Sequence, residues 1–364
     1  MSYLDTLLDG VEVAWKTLGE VAELQRGRVM SKIYLSENKG EFPVYSSQSL
    51  NNGEIGKINS FDFSGEYISW TTDGAYAGTV FYRNGKFSIT NVCGLITIND
   101  IEELDYKYLY YWLTIEAVKH VYSGMGNPKL MSHQMEKIEI PVPPLTVQTE
   151  IVRILDTFTE LTAELTAELT ARKTQYNYYR EQLLNFDEVY VQHLPMGDES
   201  IGKFIRGGGL QKKDFTETGV GCIHYGQLYT YYGTYTDKTK TFVSEEFAKK
   251  ARKAKYGDLV IATTSEDDEG VCKAVAWLGD EEIAVSSDAC FYTHNLNPKY
   301  VAYFFQTEQF QKQKRPYITG TKVRRVNADD LAKIKIPIPA LEEQTRIISI
   351  LDKFDTLTTS ISEG

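Results

Sequence analysis

The chain has 364 residues, 42% hydrophobic and 12% aromatic, with four cysteines and a formal net charge of −11. That length and apolar share predict two or three domains with packed cores, and the absence of a long apolar run or of a charged-then-apolar leader over residues 1–19 predicts a cytoplasmic protein with no membrane role. Cys93, Cys222, Cys272 and Cys290 form no CxxC pair, so they read as ordinary thiols rather than as a disulfide framework or a zinc site.

In chain order, a polar arm leads into Trp15 to Gly27, which predicts a short helix or extended entry ending in a glycine turn. Phe42 to Tyr45 predicts a strand running into the polar loop Ser46-Ser47-Gln48, and Gly65 to Thr72 a turn, a half-buried strand and a polar tip. More strand-like sequence follows from Gly78 to Arg83 and from Phe87 to Ile98. Tyr106 to Leu113 is an aromatic helix, read as core because its rings recur on more than one face. Lys137-Ile138-Glu139-Ile140 alternates like a strand, which Pro141 and Pro143 are expected to end.

From Thr146, the expected N-cap, to Phe186 no Pro or Gly interrupts the chain. This predicts a helix of roughly forty residues, on the order of 60 Å. Ile151, Leu155, Phe158, Leu161, Leu165, Leu169, Tyr176, Tyr179 and Leu183 fall near a 3.5-residue period that Arg172 interrupts. Such a coiled-coil stripe needs a partner helix.

The second half echoes the first. Ile201 to Gly209 answers the entry segment, Gly221 to Gln227 the early strand, Gly257 to Thr264 the strand with the polar tip, and Pro298 to Phe305 the aromatic helix. The clearest copy is Lys333-Ile334-Lys335-Ile336-Pro337-Ile338-Pro339-Ala340-Leu341, then Gln344-Thr345, Ile347, Leu351 and Phe354, with Pro337 196 residues after Pro141. A repeated unit implies a repeated structure.

The expected architecture is α+β (mixed α/β): two similar globular domains, 1–145 and 188–340, with long helices 146–187 and 341–364 paired antiparallel in a pseudo-two-fold repeat. The second helix stops at Gly364 without a counterpart of Gln175 to Arg180. A short or truncated second arm is therefore expected, leaving an apolar stripe open to another chain or to self-association.

The duplicated Ile-Pro-x-Pro-x-Leu-x-x-Gln lead into a helix, the Arg172-Lys173-Thr174-Gln175-Tyr176 and Tyr178-Tyr179-Arg180 helix end, and the Leu18-Gly19-Glu20-Val21-Ala22-Glu23-Leu24 opening resemble the specificity subunit of type I restriction-modification systems. The resemblance covers nearly the whole chain. It implies two target-recognition domains that each read half of a bipartite double-stranded DNA site, and two helices that set the gap and dock two modification subunits. Restriction subunits would complete the assembly. No cofactor is expected on this chain, and S-adenosylmethionine is expected on the modification partner. The tandem Thr162-Ala163-Glu164-Leu165, Thr166-Ala167-Glu168-Leu169 reads as a ruler within the first helix, each unit adding about 6 Å.

Base reading requires donors and acceptors on loops, and affinity requires cations near phosphates. Candidates in the first domain are Ser46, Ser47, Gln48, Thr71, Thr72 and Asp73, with Arg26, Arg83 and Lys129 as cations. In the second they are His224, Tyr225, Gln227, Thr263, Thr264 and Ser265, with Lys212, Lys213, Arg315, Lys322, Arg324 and Arg325. Each Ser or Thr serves a turn or cap as readily as a base, and His224 equally suits a structural role. Arg324 and Arg325 stand out because Gly320-Thr321-Lys322 precedes them in an expected loop.

Catalysis is not expected. Asn127-Pro128-Lys129 and Asn297-Pro298-Lys299 lack the Pro-Pro-aromatic motif of an amino-methyltransferase, and no GxxxxGK[ST] loop is present. The acidic run Glu266 to Glu269 reads as a solvated loop. The alternative from another class is a non-catalytic adaptor whose paired domains bind protein partners.

Overall fold

Glycines and polar turns divide the first domain into strands whose apolar positions converge on two clusters, one around Ile68 and Trp70 and one around Phe87 and Ile89. The structure, a computed structural model, describes residues 10–359 except 49 and 125; the opening arm (1–9) and the chain end (360–364) lie outside the described residues. Two units form, Met1–Ala163 and Glu164–Gly364.

In the first unit the strands are β1 (Ala14–Thr17), β2 (Ala22–Arg26), β3 (Lys39–Tyr45), β4 (Glu54–Ile58), β5 (Phe63–Thr71), β6 (Val80–Ile89), β7 (Cys93–Ile98) and β8 (Glu139–Val142). Six of them make a sheet in the order β2-β7-β5-β6-β3-β4, and β1 pairs with β8. The entry segment is thus two strands around a single helical turn, Leu18–Val21. The end of β6 leaves β5 and runs parallel to β3, pairing Tyr45 with Ile89. That turn of the sheet brings Ser46 to Thr90.

The prolines do not end β8 where the sequence suggested. Pro141 pairs with Trp15, and the ladder runs on to Val142. A two-stranded ribbon tolerates this because the missing N–H can face away from the partner. The second ribbon, Lys335–Pro337 on His193–Pro195, also includes its first proline.

The long helix runs over Leu145–Leu183, 39 residues, so Thr146 lies in its first turn and is not its cap. Gln148 fastens that turn instead: its amide donates to the Pro143 and Glu103 carbonyls at 2.8 Å and accepts from the Asp105 N–H at 2.9 Å. Asp105 caps the aromatic helix Tyr106–Glu116. One turn further along the aromatic helix, Lys107 and Tyr111 both donate to Asp156. The Tyr108 hydroxyl closes the lock on the Pro141 carbonyl at 2.9 Å.

The second unit rebuilds the lock with its own residues. Gln344 accepts from the Asn297 N–H and donates to the Pro339 carbonyl, Lys299 and Tyr303 donate to Asp352, and the Tyr300 hydroxyl reaches the Pro337 carbonyl. Aromatic helix, proline segment and long-helix start therefore form one duplicated module. Around it the second unit has two five-stranded sheets, one of them centred on Leu259–Ala262 between Ala289–His294 and Ala274–Trp277. Tyr300 to Phe304 are fully buried, in keeping with a core role for the aromatic helix.

The second-copy helix spans Leu341–Thr359. Its Ile347 and Leu351 are buried in one cluster with Tyr176 and Leu184, with Leu183 and Phe354 packed against it, and Phe354 stacks on Tyr179 at 5.3 Å. Burying each such aliphatic side chain contributes about 1.5–3 kcal/mol. Ile151 and Leu155, the positional equivalents of Ile347 and Leu351, are only half-buried, and Leu169 likewise. Phe158, Leu161 and Leu165 remain exposed, Phe158 by 62%. Thr162 in the tandem and Thr170 just after it return their hydroxyls to the Phe158 and Thr166 carbonyls four residues back, as helical threonines commonly do.

Candidate nucleic-acid interface

In the first unit the ends of β2, β3 and β5 and the start of β7 meet at one rim. Arg26 ends β2 opposite Gly94, and Thr71 ends β5 opposite Cys93. Gly27 then crosses so close to the neighbouring chain that a Cβ there would lie 2.1 Å from the Ile89 carbonyl oxygen. Asp73 bridges Lys129, which also bridges Tyr122, so Tyr122 and Lys129 lie as an antiparallel pair against the β5 tip. The buried indole of Trp70 holds that pair by donating to the Leu130 carbonyl at 3.0 Å.

The second unit repeats the rim. Arg206 pairs with Cys290 as Arg26 pairs with Gly94, and a Cβ on Gly207 would lie 2.0 Å from the Ser286 carbonyl oxygen. Arg325 bridges both Thr319 and Thr264, a pairing equivalent to that of Lys129. Leu130 N–H donates to the Thr72 carbonyl and Val326 N–H to the Thr263 carbonyl. These pairings make Thr72 the counterpart of Thr263 and Asp73 that of Thr264, one residue away from the match suggested by the echo of Gly65 and Gly257. Arg206, Arg325, Thr263, Thr264, Asp288 and Asn327 line a cleft of about 220 Å³.

Several polar candidates are spent on this framework. Thr71 and Thr72 are buried, their hydroxyls donating to the Tyr76 and Val92 carbonyls, and they cannot reach a ligand. Ser46 accepts from the Thr90 hydroxyl, Ser47 donates to the Asp73 carbonyl and Gln48 to the Glu54 carbonyl. His224 and Gln227 form a reciprocal cap on the helix Tyr225–Thr230, and the Tyr225 N–H donates to Ser286. Burial holds the His224 imidazole below its ordinary pKa, and Lys212 adds to the effect. The polar loop expected after Ile223 is therefore a capped helix. Thr264 is buried, its carbonyl accepting from the Tyr229 hydroxyl, and Ser265 faces Arg324 in the strand pair.

The cations divide in the same way. Arg83 is buried, and desolvation lowers its pKa to about 10, so it is a support and not a phosphate ligand. Arg315 pairs with Glu308, whose N–H is held by Glu181 of the long helix. Arg324 is tied to Asp268 at 2.7 Å and to the Gly320 carbonyl. Arg26, Lys129, Lys212, Lys213, Lys322 and Arg325 are exposed and belong to no ion pair among the described residues. Arg206 and Arg252, which donates to the Arg206 carbonyl at 2.9 Å, join the rim unforeseen. The Arg-Gly pair shared by Arg26-Gly27 and Arg206-Gly207 was the available signal.

Among the described residues no group of His, Cys, Asp and Glu is arranged to hold a metal, and no helix is long and apolar enough to cross a membrane. All four cysteines are buried, and desolvation pushes Cys93 and Cys272 up to about 12.

A family model described as type I restriction modification DNA specificity domain matches the chain twice, over residues 11–172 and 199–364. The chain is 32% identical over 389 residues to the specificity subunit of the Escherichia coli type I restriction enzyme EcoR124I/EcoR124II, covering 100% of this chain and 92% of that one. It is 50% identical over 174 residues to a Mycoplasma pneumoniae chain named as the N-terminus of a type I specificity subunit, covering 46% and 92%. Its fold is that of the crystallised type I restriction-modification S subunit of M. genitalium, with a TM-score of 0.61 at 15% identity over 98% of this chain and 93% of that one.

Proposed function

The chain belongs to the family of type I restriction-modification DNA specificity subunits, and from that premise we propose that each unit's rim reads one half of a bipartite DNA target. The observation that carries this reading is the duplicated cation geometry: Arg26 with Lys129 and Arg206 with Arg325, placed alike by the same strand pairings and in no ion pair among the described residues. Exposed cations on a rim of strand ends and bridged segments can neutralise phosphates and so hold polar loops against base edges. The duplicated lock on Gln148 and Gln344 would carry each domain on its helix in one orientation.

The chain itself performs no chemistry in this reading. Two modification subunits dock on the helices and supply S-adenosylmethionine and the methyl transfer, and restriction subunits add cleavage. The exposed stripe Phe158, Leu161 and Leu165 is the surface offered to these partners or to a second copy of the chain. Sequencing of methylated bases in cells expressing the full-length protein with and without its modification partner tests the proposal. A split motif with a fixed gap, seen only with both proteins, is expected. No partner-dependent methylation from two soluble, associated proteins would favour a protein-binding adaptor instead.

A further inference from the structure

Leu50 to Gly53 lead into β4 beside the first rim. Leu50 is 79% exposed at the tip of this turn, beside exposed Asn51 and Asn52. Both asparagines hold a left-handed backbone, with φ of 50° and 53°, and Gly53 follows at 80°. Asn-Asn-Gly suits such a turn on local grounds alone, since asparagine tolerates this conformation better than other side chains. A turn needed only to reverse the chain, however, requires neither an exposed leucine nor a buried cation beneath it.

Arg83 supplies that cation. It is 3% exposed, donates from Nη1 to the Asn52 carbonyl and from Nε to the Ser69 hydroxyl, both at 2.9 Å, and lies 3.5 Å from the Tyr45 ring centroid. No carboxylate pairs with it among the described residues. Gly53 is buried against it, and a Cβ there would stand 3.1 Å from Nη2. The Ser46 N–H to the Gly53 carbonyl and Gln48 to the Glu54 carbonyl close the base of the turn, and Ser47 joins it to Asp73. The tip is thus held on the rim that carries Lys129.

What it presents suits base reading. An asparagine amide offers a donor and an acceptor in one plane, the complement of adenine N6 and N7 in the major groove, and an apolar side chain fits the thymine methyl. We propose that Leu50, Asn51 and Asn52 select A·T pairs in the half-site read by the first unit, with Arg83 as the positioning residue. This rests on the reading of that unit as a DNA-binding domain.

The test uses the full-length chain with its modification partner and maps methylated motifs for Asn51→Gly, Asn52→Gly and the double variant, because glycine keeps the left-handed turn while removing the amide. The ratio of methylation at sites altered at one or two A·T positions of one half-site to methylation at the wild-type motif is expected to rise by roughly tenfold to a hundredfold, with the other half-site and the gap unchanged. Arg83→Met should relax the same positions, and Arg83→Lys should partly restore them. An unchanged motif in the double variant overturns the assignment. So does uniform loss of methylation with an unchanged unfolding midpoint, which would mean affinity without base choice. Failure of the underlying reading shows separately, as a wild-type chain that yields no split motif.

Discussion

Tyr303 donates its hydroxyl to Asp352 at 2.7 Å, binding the aromatic helix of the second unit to the second-copy helix. Lys299 donates to the same carboxylate at 2.7 Å, and Tyr111 and Lys107 treat Asp156 alike. Replacing Asp352 by alanine deprives the fully buried Tyr303 hydroxyl and the half-buried Lys299 ammonium of this acceptor. A loss of about 1–2 kcal/mol is expected, partial solvent access reducing the usual value for charged hydrogen bonds. Thermal unfolding of Asp352→Ala measures it, and a midpoint equal to wild type would remove the lock from the energetics.

Asp156 gives the pH dependence a sign. Burial alone would raise its pKa, but the hydrogen bonds from Lys107 and Tyr111 outweigh that and hold it below the ordinary value. Its contribution is therefore complete above the unfolded pKa, about 3.9, and is lost as pH falls through the lower folded value. Acid titrations of stability should show a shallower loss below about pH 4 for Asp156→Asn than for wild type.

Free and paired cations should separate in salt titrations of DNA binding by the assembled complex. Arg26→Ala, Lys129→Ala, Arg206→Ala and Arg325→Ala are each expected to weaken binding and to lower the slope of log K against log salt by about 1. Arg315→Ala should leave the slope unchanged because Glu308 already pairs with that guanidinium. Equal slopes throughout would place DNA elsewhere.

Deleting Thr162 to Leu165 shortens the long helix by about 6 Å, against about 3.4 Å per base-pair step. The unspecified gap in the methylated motif should contract by about one or two base pairs with both half-sites intact. Altered half-sites beside an unchanged gap would contradict the ruler.

Gly27→Ala and Gly207→Ala test whether the two rims are built alike. The added methyl would meet the Ile89 or Ser286 carbonyl at about half the normal contact distance, so each variant should lose about 1–3 kcal/mol or more. A variant as stable as wild type in chemical denaturation would mean that the crossing strands can part freely.

Much of this architecture was legible because its determinants are local. Lys-Ile-Glu-Ile alternation, proline punctuation, an uninterrupted helix and their recurrence 196 residues later each state a backbone preference within a few residues. The Thr146 cap failed because Gln148, bonded to Glu103 and Asp105 from a distant turn, took over that end of the helix. Proline did not halt β8 because its partner strand lies on one side only.

The candidate site was legible only in part, since exposure of a polar side chain depends on residues far away in sequence. Arg83 looked like a free cation until Ser69, Asn52 and Tyr45 closed around it, and Arg324 until Asp268 reached it. The sequence by itself determined the duplication and the long helix, because these follow from periodicity and backbone chemistry, whereas the lock that joins the aromatic helix to the long helix rests on tertiary hydrogen bonds. Only the tertiary structure decided which cations stay unpaired and which loop stands at the rim. It also aligned Thr72 with Thr263, because strand register is set by cross-strand partners such as Gly94 and Cys290 rather than by the spacing of neighbours along the chain.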